Sequence, residues 1–105
     1  CGVNSGRNVD KFEATGLTAE KASVINAPII KESPVSLECV VKDTVELGSH
    51  VMFLAEIVSV NVEDSLIDEK GKPQMDKANL VCYMNRQYWS LGEYLGSYGY
   101  SASKK

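Results

Sequence analysis

The sequence contains no long apolar run. A membrane-spanning helix requires about 20 consecutive apolar residues, and no stretch of these 105 residues approaches that length. A charged segment followed by an apolar one, which is typical of a secretory signal, is also missing from the start. We therefore expect no membrane partner.

Cysteines are few, and their spacing is unsuited to pairing. Cys1, Cys39 and Cys82 are odd in number, far apart and without a Cys-x-x-Cys pair. This pattern disfavours a disulfide framework and a zinc site, and it fits a reducing cytoplasm. No catalytic triad, acid–base pair of carboxylates or metal-binding set is visible elsewhere. The sequence therefore predicts a cytoplasmic protein without a metal site and without a catalytic side-chain constellation.

Basic charge is not clustered. The 11 Lys and Arg residues are outnumbered by 14 Asp and Glu residues, which gives a net charge of −3. Binding to duplex nucleic acid needs a clustered basic face, so we expect no nucleic-acid partner. The one basic pair, Lys104-Lys105, is predicted to be a solvated tail. An apolar fraction of 44% and a length of 105 residues are ordinary for one globular domain.

Two alternating segments occupy the middle of the chain. From Val35 to Val45 the odd positions are mostly apolar, while the even positions are mostly polar and include Glu38. This alternation predicts a strand with one buried face and one wet face, and Cys39 on the apolar face is expected to be a small buried residue. From Val51 to Val62 both faces are largely apolar, which predicts a strand that is covered on both sides. A connection containing Gly48 favours a long antiparallel hairpin.

Shorter elements flank this hairpin. Asn8 or Asp10 can cap a short helix that runs through about Ala14, and Gly16 can end it. Residues 63–79 are predicted to form a surface loop. Together with the hairpin, these signals predict a mainly β domain with a short helix. They describe a fold class and do not reach function.

A second hairpin is predicted near the end of the chain. Residues 80–83 and 87–90 are strand-like and flank Met84-Asn85-Arg86. Because positive φ is costly for Arg, we expect a connection wider than two residues. Trp89, with Tyr83 and Tyr88, could present an aromatic surface to a flat ligand ring or a partner subunit. The alternative is that these aromatic side chains fill a core.

Four segments together carry a family resemblance. They read Ser5-Gly-Arg-Asn-Val-Asp-Lys-Phe12, Pro34-Val-Ser-Leu-Glu-Cys39, Leu47-Gly-Ser-His50 followed by Phe53-Leu-Ala-Glu-Ile-Val58, and Tyr88-Trp-Ser-Leu-Gly92 leading to Gly96-Ser-Tyr-Gly-Tyr-Ser101. In order and spacing they resemble the C-terminal part of flavin-reductase-like proteins, a group that includes flavoredoxins. The resemblance implies part of an antiparallel, FMN-binding split β-barrel. It also implies that residues 1–105 are the C-terminal portion of the domain, so that Cys1 lies mid-domain and the N-terminal part of the barrel is absent.

The same resemblance implies a function. Family members hold FMN without a covalent link, usually as homodimers, and pass a hydride from NAD(P)H to FMN and on to an acceptor, or exchange electrons with a redox protein. The expected function is therefore that of a flavin reductase or flavoredoxin-like electron carrier. The alternative is a non-catalytic FMN-binding or dimerisation module built on the same scaffold.

Two turns match family site motifs. In reductases of the family a Gly-Asp-His turn lies beside the nicotinamide, and Gly48-Ser49-His50 resembles it with Ser in place of Asp. A flavoredoxin reduced by another protein could keep this turn, so both electron donors stay open. At Ser5-Gly6-Arg7 a glycine permits close approach and an Arg offers a planar fork to a phosphate. For His50 the plainer alternative is that the side chain caps its own turn. For Ser5-Gly6-Arg7 it is a tight turn with an exposed arginine.

Overall fold

The computed structural model describes residues 3–103, so Cys1 and the Lys104-Lys105 pair lie outside it. The chain is mainly β with short helices, as predicted. Its helices are α1 (Lys11–Thr15) and α2 (Tyr100–Ser103), with 3-10 turns at Asp64–Leu66 and Met75–Ala78. Its strands are β1 (Ala19–Lys21), β2 (Pro28–Ile30), β3 (Val35–Glu46), β4 (Val51–Val62), β5 (Val81–Met84) and β6 (Gln87–Ser90).

Consecutive strands pair into three antiparallel hairpins. These are β1–β2, β3–β4 and β5–β6, each a two-stranded sheet. The first two hairpins and α1 belong to a compact unit that extends to Pro73, and a second unit starts at Gln74 and contains β5–β6.

Helix α1 is short and is capped at both ends. The Asp10 Oδ1 accepts hydrogen bonds from the backbone N–H groups of Phe12 at 3.1 Å and Glu13 at 3.2 Å. Gly16 follows in the left-handed region at φ 73°, and its N–H donates to the Phe12 carbonyl at 3.0 Å. The predicted helix is confirmed, with Asp10 rather than Asn8 as its N-cap.

The long hairpin β3–β4 is confirmed and contains two register shifts. Its strands pair from Val35 opposite Val62 to Glu46 opposite Val51. The register shifts between Glu38 and Cys39, where Val58 is the extra residue on β4, and again around Lys42 on β3. Such bulges bend a strand and increase its twist, and they are common at the rims of barrels.

Burial in the first unit differs from the sequence-based expectation. Its buried apolar residues are Ala22 and Leu66, and its most deeply buried side chain is the carboxylate of Glu38. The even positions of β3 were predicted to face solvent, and Glu38 contradicts that prediction. Cys39 is only half-buried, so the prediction of a buried cysteine is also wrong.

Strand β4 is not covered within this chain. Phe53 and Leu54 project to opposite faces of the strand, yet they are 64% and 46% exposed. The prediction that both faces are covered therefore fails for residues 3–103 taken alone. The apolar side chains of the hairpin form a surface that this chain leaves open to solvent.

The predicted surface loop at 63–79 contains more local order than expected. The Asp68 Oδ1 accepts hydrogen bonds from the backbone N–H groups of Lys70 and Lys72, at 2.9 and 2.8 Å. Ile67 and Pro73 form an isolated antiparallel bridge across the same turn. Leu66, just before them, is one of the buried apolar residues.

The β5–β6 connection is a two-residue turn. Met84 pairs with Gln87, and Asn85 and Arg86 both have positive φ, at 52° and 63°. The prediction of a wider connection is wrong, because a two-residue hairpin needs this primed-turn geometry to match the twist of its strands. The rings of Tyr83 and Tyr88 pack edge-on at 5.1 Å across the strands. Such a pair contributes about 0.5–1.5 kcal/mol, enough to offset much of the strain at Arg86.

Replacing Arg86 with Gly is therefore expected to stabilise the protein. Glycine adopts positive φ without a Cβ penalty, so the free energy of unfolding should rise by about 0.5–1 kcal/mol. Urea unfolding of the wild type and Arg86→Gly measures the change. Arg86→Lys keeps the Cβ and the charge and should leave stability unchanged. A stabilised Lys variant would show that the gain does not come from backbone strain.

Candidate functional site

The tip of the long hairpin carries the turn at Gly48-Ser49-His50. The Leu47 N–H donates to the His50 carbonyl at 2.8 Å and closes a four-residue loop between β3 and β4. Gly48 has φ 84°, a conformation that L side chains rarely adopt. A Cβ at Gly48 would meet nothing within 4 Å, so the backbone conformation, rather than lack of space, favours glycine there.

The ring of His50 is held by its neighbour. Its Nδ1 lies 2.8 Å from the Ser49 Oγ, and both residues are exposed at the tip. The loop is closed by the His50 carbonyl and not by the ring, which disfavours the interpretation of His50 as a cap of its own turn. Because Ser49 occupies Nδ1, Nε2 is the ring nitrogen left to contact a ligand. Ser49 thus orients the ring without supplying the charge that an aspartate would.

A second turn carries Ser5, Gly6 and Arg7 at the approach to α1. The Ser5 carbonyl accepts from the N–H groups of Asn8 and Val9 at 3.1 and 3.2 Å, and the Ser5 Oγ accepts from the Arg7 N–H at 3.2 Å. These bonds order the backbone while the side chain of Arg7 stays exposed. Within residues 3–103 the Arg7 guanidinium forms no ion pair, so its donors are available to an anion.

Trp89 lies on β6, opposite Cys82, and is 48% exposed. It therefore does not fill a core in the described part of the chain, which leaves its ring available to a ligand or a partner. Trp89 belongs to the second compact unit, whereas Ser5–Arg7 and Gly48–His50 belong to the first.

Glu38 is a polar site that the sequence analysis did not identify. One carboxylate oxygen accepts from the N–H groups of Val24 at 2.7 Å and Ile25 at 3.2 Å. The other accepts from the Ser23 N–H at 2.8 Å and from the Asn61 Nδ2 at 2.6 Å. Asn61 also accepts a bond from the Ser23 hydroxyl at 3.1 Å. Five hydrogen bonds thus join a loop, β3 and β4 around one buried carboxylate.

These donors keep Glu38 ionised. The hydrogen bond from Asn61 and then that from Ser23 lower the pKa of Glu38, burial opposes them, and Val24 and Ile25 lower it further. The result is a pKa lowered from an ordinary 4.5 to about 2. Hydrogen bonds to the charged form therefore outweigh the cost of burying it.

Two kinds of feature are missing from the described residues. Across residues 3–103 no group of three or more His, Cys, Asp or Glu side chains could hold a metal ion. In the same part of the chain no helix is long and apolar enough to cross a membrane.

Comparison with known proteins identifies the family. Residues 1–92 match the family model described as a flavin reductase like domain. The chain therefore belongs to the flavin reductase-like domain family, and its hairpins belong to a split-barrel fold.

Two solved flavoredoxins are similar to the chain. Flavoredoxin of Desulfovibrio vulgaris (Miyazaki F) superposes with a TM-score of 0.84 at 30% identity, covering 95% of this chain and 54% of its own. Flavoredoxin from Methanosarcina acetivorans superposes with a TM-score of 0.81 at 31% identity, covering 97% of this chain and 56% of its own. The chain thus spans about half the length of these structures.

A curated relative also matches only part of its own length, and its name gives no activity. A protein of Archaeoglobus fulgidus named only as uncharacterized is 37% identical over 75 residues, which are 71% of this chain and 41% of that protein. The matched segment spans less than half the length of this relative.

The lowered pKa of Glu38 predicts a pH-dependent contribution to stability. A carboxylate whose pKa is depressed by folding stabilises the fold above its unfolded pKa, and that stabilisation is lost as pH falls toward the folded pKa. Glu38→Gln removes the charge at every pH. The unfolding midpoint of the wild type should therefore exceed that of Glu38→Gln near neutral pH, and the gap should narrow between pH 4.5 and about 2.

Urea unfolding at a series of pH values measures this gap. Glu46→Gln is the matched control, because Glu46 lies on the same strand and is exposed. The urea midpoint of Glu46→Gln should equal that of the wild type at every pH. A gap between wild type and Glu38→Gln that stays constant down to pH 2 would contradict the assignment of the lowered pKa.

Proposed function

We propose that the protein is a flavin-dependent oxidoreductase or electron carrier that holds FMN and passes reducing equivalents from NAD(P)H to an acceptor, which is a small molecule or a redox protein. The observation that carries this proposal is the structural agreement with flavoredoxins at 30–31% identity over 95–97% of this chain. When bound, FMN supplies the redox chemistry, and the protein supplies position and electrostatics.

The Ser5–Arg7 turn fits the phosphate of FMN. Arg7 offers a planar set of N–H donors that matches phosphate oxygens, and its side chain is exposed. The Ser5 Oγ accepts from the Arg7 N–H, which leaves the hydroxyl proton free to donate to the same anion. Gly6 has nothing within 4 Å of a Cβ position, so the backbone is open to close approach.

The hairpin tip fits a nicotinamide. His50 has one ring nitrogen occupied by Ser49, so its other nitrogen can exchange a hydrogen bond with a carboxamide or phosphate. Gly48 permits the turn, and Ser49 orients the ring. In this proposal Trp89 offers an apolar face to the flavin ring or to a second subunit.

The open faces of β4 support a larger assembly. We infer that residues 1–105 contribute the C-terminal portion of the barrel, that the remainder of the domain covers the exposed hairpin, and that the protein is a homodimer. Exposed apolar residues on both faces, such as Phe53 and Leu54, and unpaired strand edges support this inference. The free thiols of Cys39 and Cys82 fit a cytoplasmic location.

A non-catalytic FMN-binding or dimerisation module is the second candidate, and Ser49 favours it. An aspartate at this position would place a carboxylate beside His50, whereas the Ser49 hydroxyl adds no charge. Steady oxidation of NAD(P)H in the presence of FMN would support the enzyme. Bound flavin without turnover would support the non-catalytic module. Turnover only with a redox protein would support the electron carrier.

His50→Ala, made in the full-length protein, tests the nicotinamide contact. Losing one or two hydrogen bonds costs about 1–3 kcal/mol, so KM for NAD(P)H should rise roughly 5- to 150-fold. The affinity for FMN should change little. Stability should fall by less than about 1 kcal/mol, because His50 is an exposed turn residue. Steady-state kinetics, flavin titration and urea unfolding give the three values. An unchanged KM with a large loss of stability would assign His50 a structural role.

Arg7→Ala is the reciprocal test. A charge-assisted hydrogen bond contributes about 1.5–3 kcal/mol, so the Kd for FMN should rise roughly 10- to 150-fold while KM for NAD(P)H at saturating FMN stays unchanged. Arg7→Lys keeps the charge but loses the planar fork, and an intermediate Kd is expected. Fluorescence titration with FMN measures it. Equal Kd values in wild type and Arg7→Ala would remove Arg7 from the flavin site.

A further inference from the structure

The loop between β1 and β2 is bound to the long hairpin by one carboxylate. Ser23, Val24 and Ile25 are three consecutive residues whose backbone N–H groups all donate to Glu38. Successive N–H groups that converge in this way form an anion-binding concavity. Here the anion comes from the same chain. Asn61 on β4 closes the arrangement by donating to Glu38 and accepting from the Ser23 hydroxyl. We call Ser23–Ile25, Glu38 and Asn61 the carboxylate latch.

The chain leads from the Ser5–Arg7 turn through α1 and β1 to the loop that the carboxylate latch holds. This loop lies between β1 and β2. Thr18, just before β1, donates its N–H and its hydroxyl to the Glu32 carboxylate beyond β2, at 2.8 and 2.9 Å. A hollow of about 250 Å³ between α1 and this hairpin is lined by Phe12, Leu17 and Ile30, among others. We call α1, the β1–β2 hairpin and the Ser5–Arg7 turn the N-terminal layer.

Apolar contacts hold this layer weakly. Ala22 is buried, but it is small, and α1 has no buried residue. A buried charge is tolerated when its hydrogen bonds are complete, and it then specifies one arrangement because any displacement leaves the charge unpaired. The carboxylate latch therefore restricts the β1–β2 loop to one position on β3–β4 more strictly than the apolar contacts do.

We propose that Glu38 is a positioning residue: it fixes the N-terminal layer on the long hairpin and thereby sets the geometry in which the Ser5–Arg7 turn receives the phosphate of FMN. This inference rests on the proposed function. It adds a residue that does not touch the ligand and that acts through the backbone of Ser23–Ile25.

The test compares Glu38→Gln with the wild type. Glutamine keeps the size of the side chain but replaces one carboxylate oxygen with an NH₂ group. Each of the two oxygens of Glu38 accepts hydrogen bonds from two donors, so in either orientation the NH₂ group would face donors instead of accepting from them. Amide hydrogen exchange of the flavin-free protein should show faster exchange at Ser23, Val24 and Ile25, by about 10-fold or more. The Kd for FMN should rise roughly 5- to 100-fold, and the visible circular dichroism of the bound flavin should change.

Two controls separate positioning from stability. Glu46→Gln makes the same substitution at an exposed position of β3 and should alter neither exchange nor Kd. Leu66→Ala removes a buried apolar side chain outside the carboxylate latch and should lower the unfolding midpoint. Measured at a temperature where it stays folded, it should keep the wild-type Kd. Asn61→Ala removes one bond to the carboxylate and keeps three, so its Kd should lie between those of the wild type and Glu38→Gln.

The outcomes are distinct. Faster exchange in Glu38→Gln together with weaker FMN binding supports the inference. Equal FMN affinity in wild type and Glu38→Gln overturns it and leaves the proposed function intact. A Kd that rises as much in Leu66→Ala as in Glu38→Gln also overturns it, because the effect would then follow stability alone. All FMN measurements use the full-length protein, which includes the remainder of the domain, and a full-length wild type that binds no FMN overturns both the proposed function and this inference.

Discussion

The arrangement of the first compact unit depends on one buried carboxylate. Glu38 is fully buried and accepts four hydrogen bonds, three of them from consecutive backbone N–H groups. A unit whose buried apolar residues are Ala22 and Leu66 has little hydrophobic burial to hold its loops in place. Polar contacts with strict geometry therefore determine where the β1–β2 loop lies on the long hairpin. The same geometry explains why this carboxylate stays ionised although it is buried.

The long hairpin differs from the region around Glu38, because many of its apolar side chains stay exposed in the described residues. Phe53 and Leu54 on opposite faces of β4 are both largely exposed. A two-stranded ribbon with two apolar faces and two unpaired edges is not a stable end state in water. The bulges near Glu38 and at Lys42 are of a kind that bends strands and is common at the rims of barrels. These features fit the proposal that the hairpin is part of a larger barrel, since the chain covers only 54–56% of the flavoredoxins to which it is similar.

Local signals predicted the long hairpin, α1 and the β5–β6 hairpin but not the β1–β2 hairpin, and non-local contacts produced further errors. Alternation was enough to predict β3–β4, and Asp10 with Gly16 was enough to predict α1, because these patterns act within a few residues. Glu38 was predicted to face water, because its neighbours at even positions are mostly polar. Its donors lie 13 to 23 residues away, and their convergence depends on tertiary structure. At Arg86 the twist of the paired strands imposed a backbone conformation that the residue itself disfavours.

The two ends of the long hairpin carry different parts of the candidate site. The carboxylate latch lies near the base, while His50 lies at the tip, eight residues of strand beyond Glu38. At about 3.3 Å per residue, this separation is about 25 Å. Glu38 and His50 are therefore too far apart to touch each other. We expect substitutions at these two positions to have independent effects on binding. On the proposed function, variation at Ser49 would change the contacts of the electron donor without disturbing the carboxylate latch.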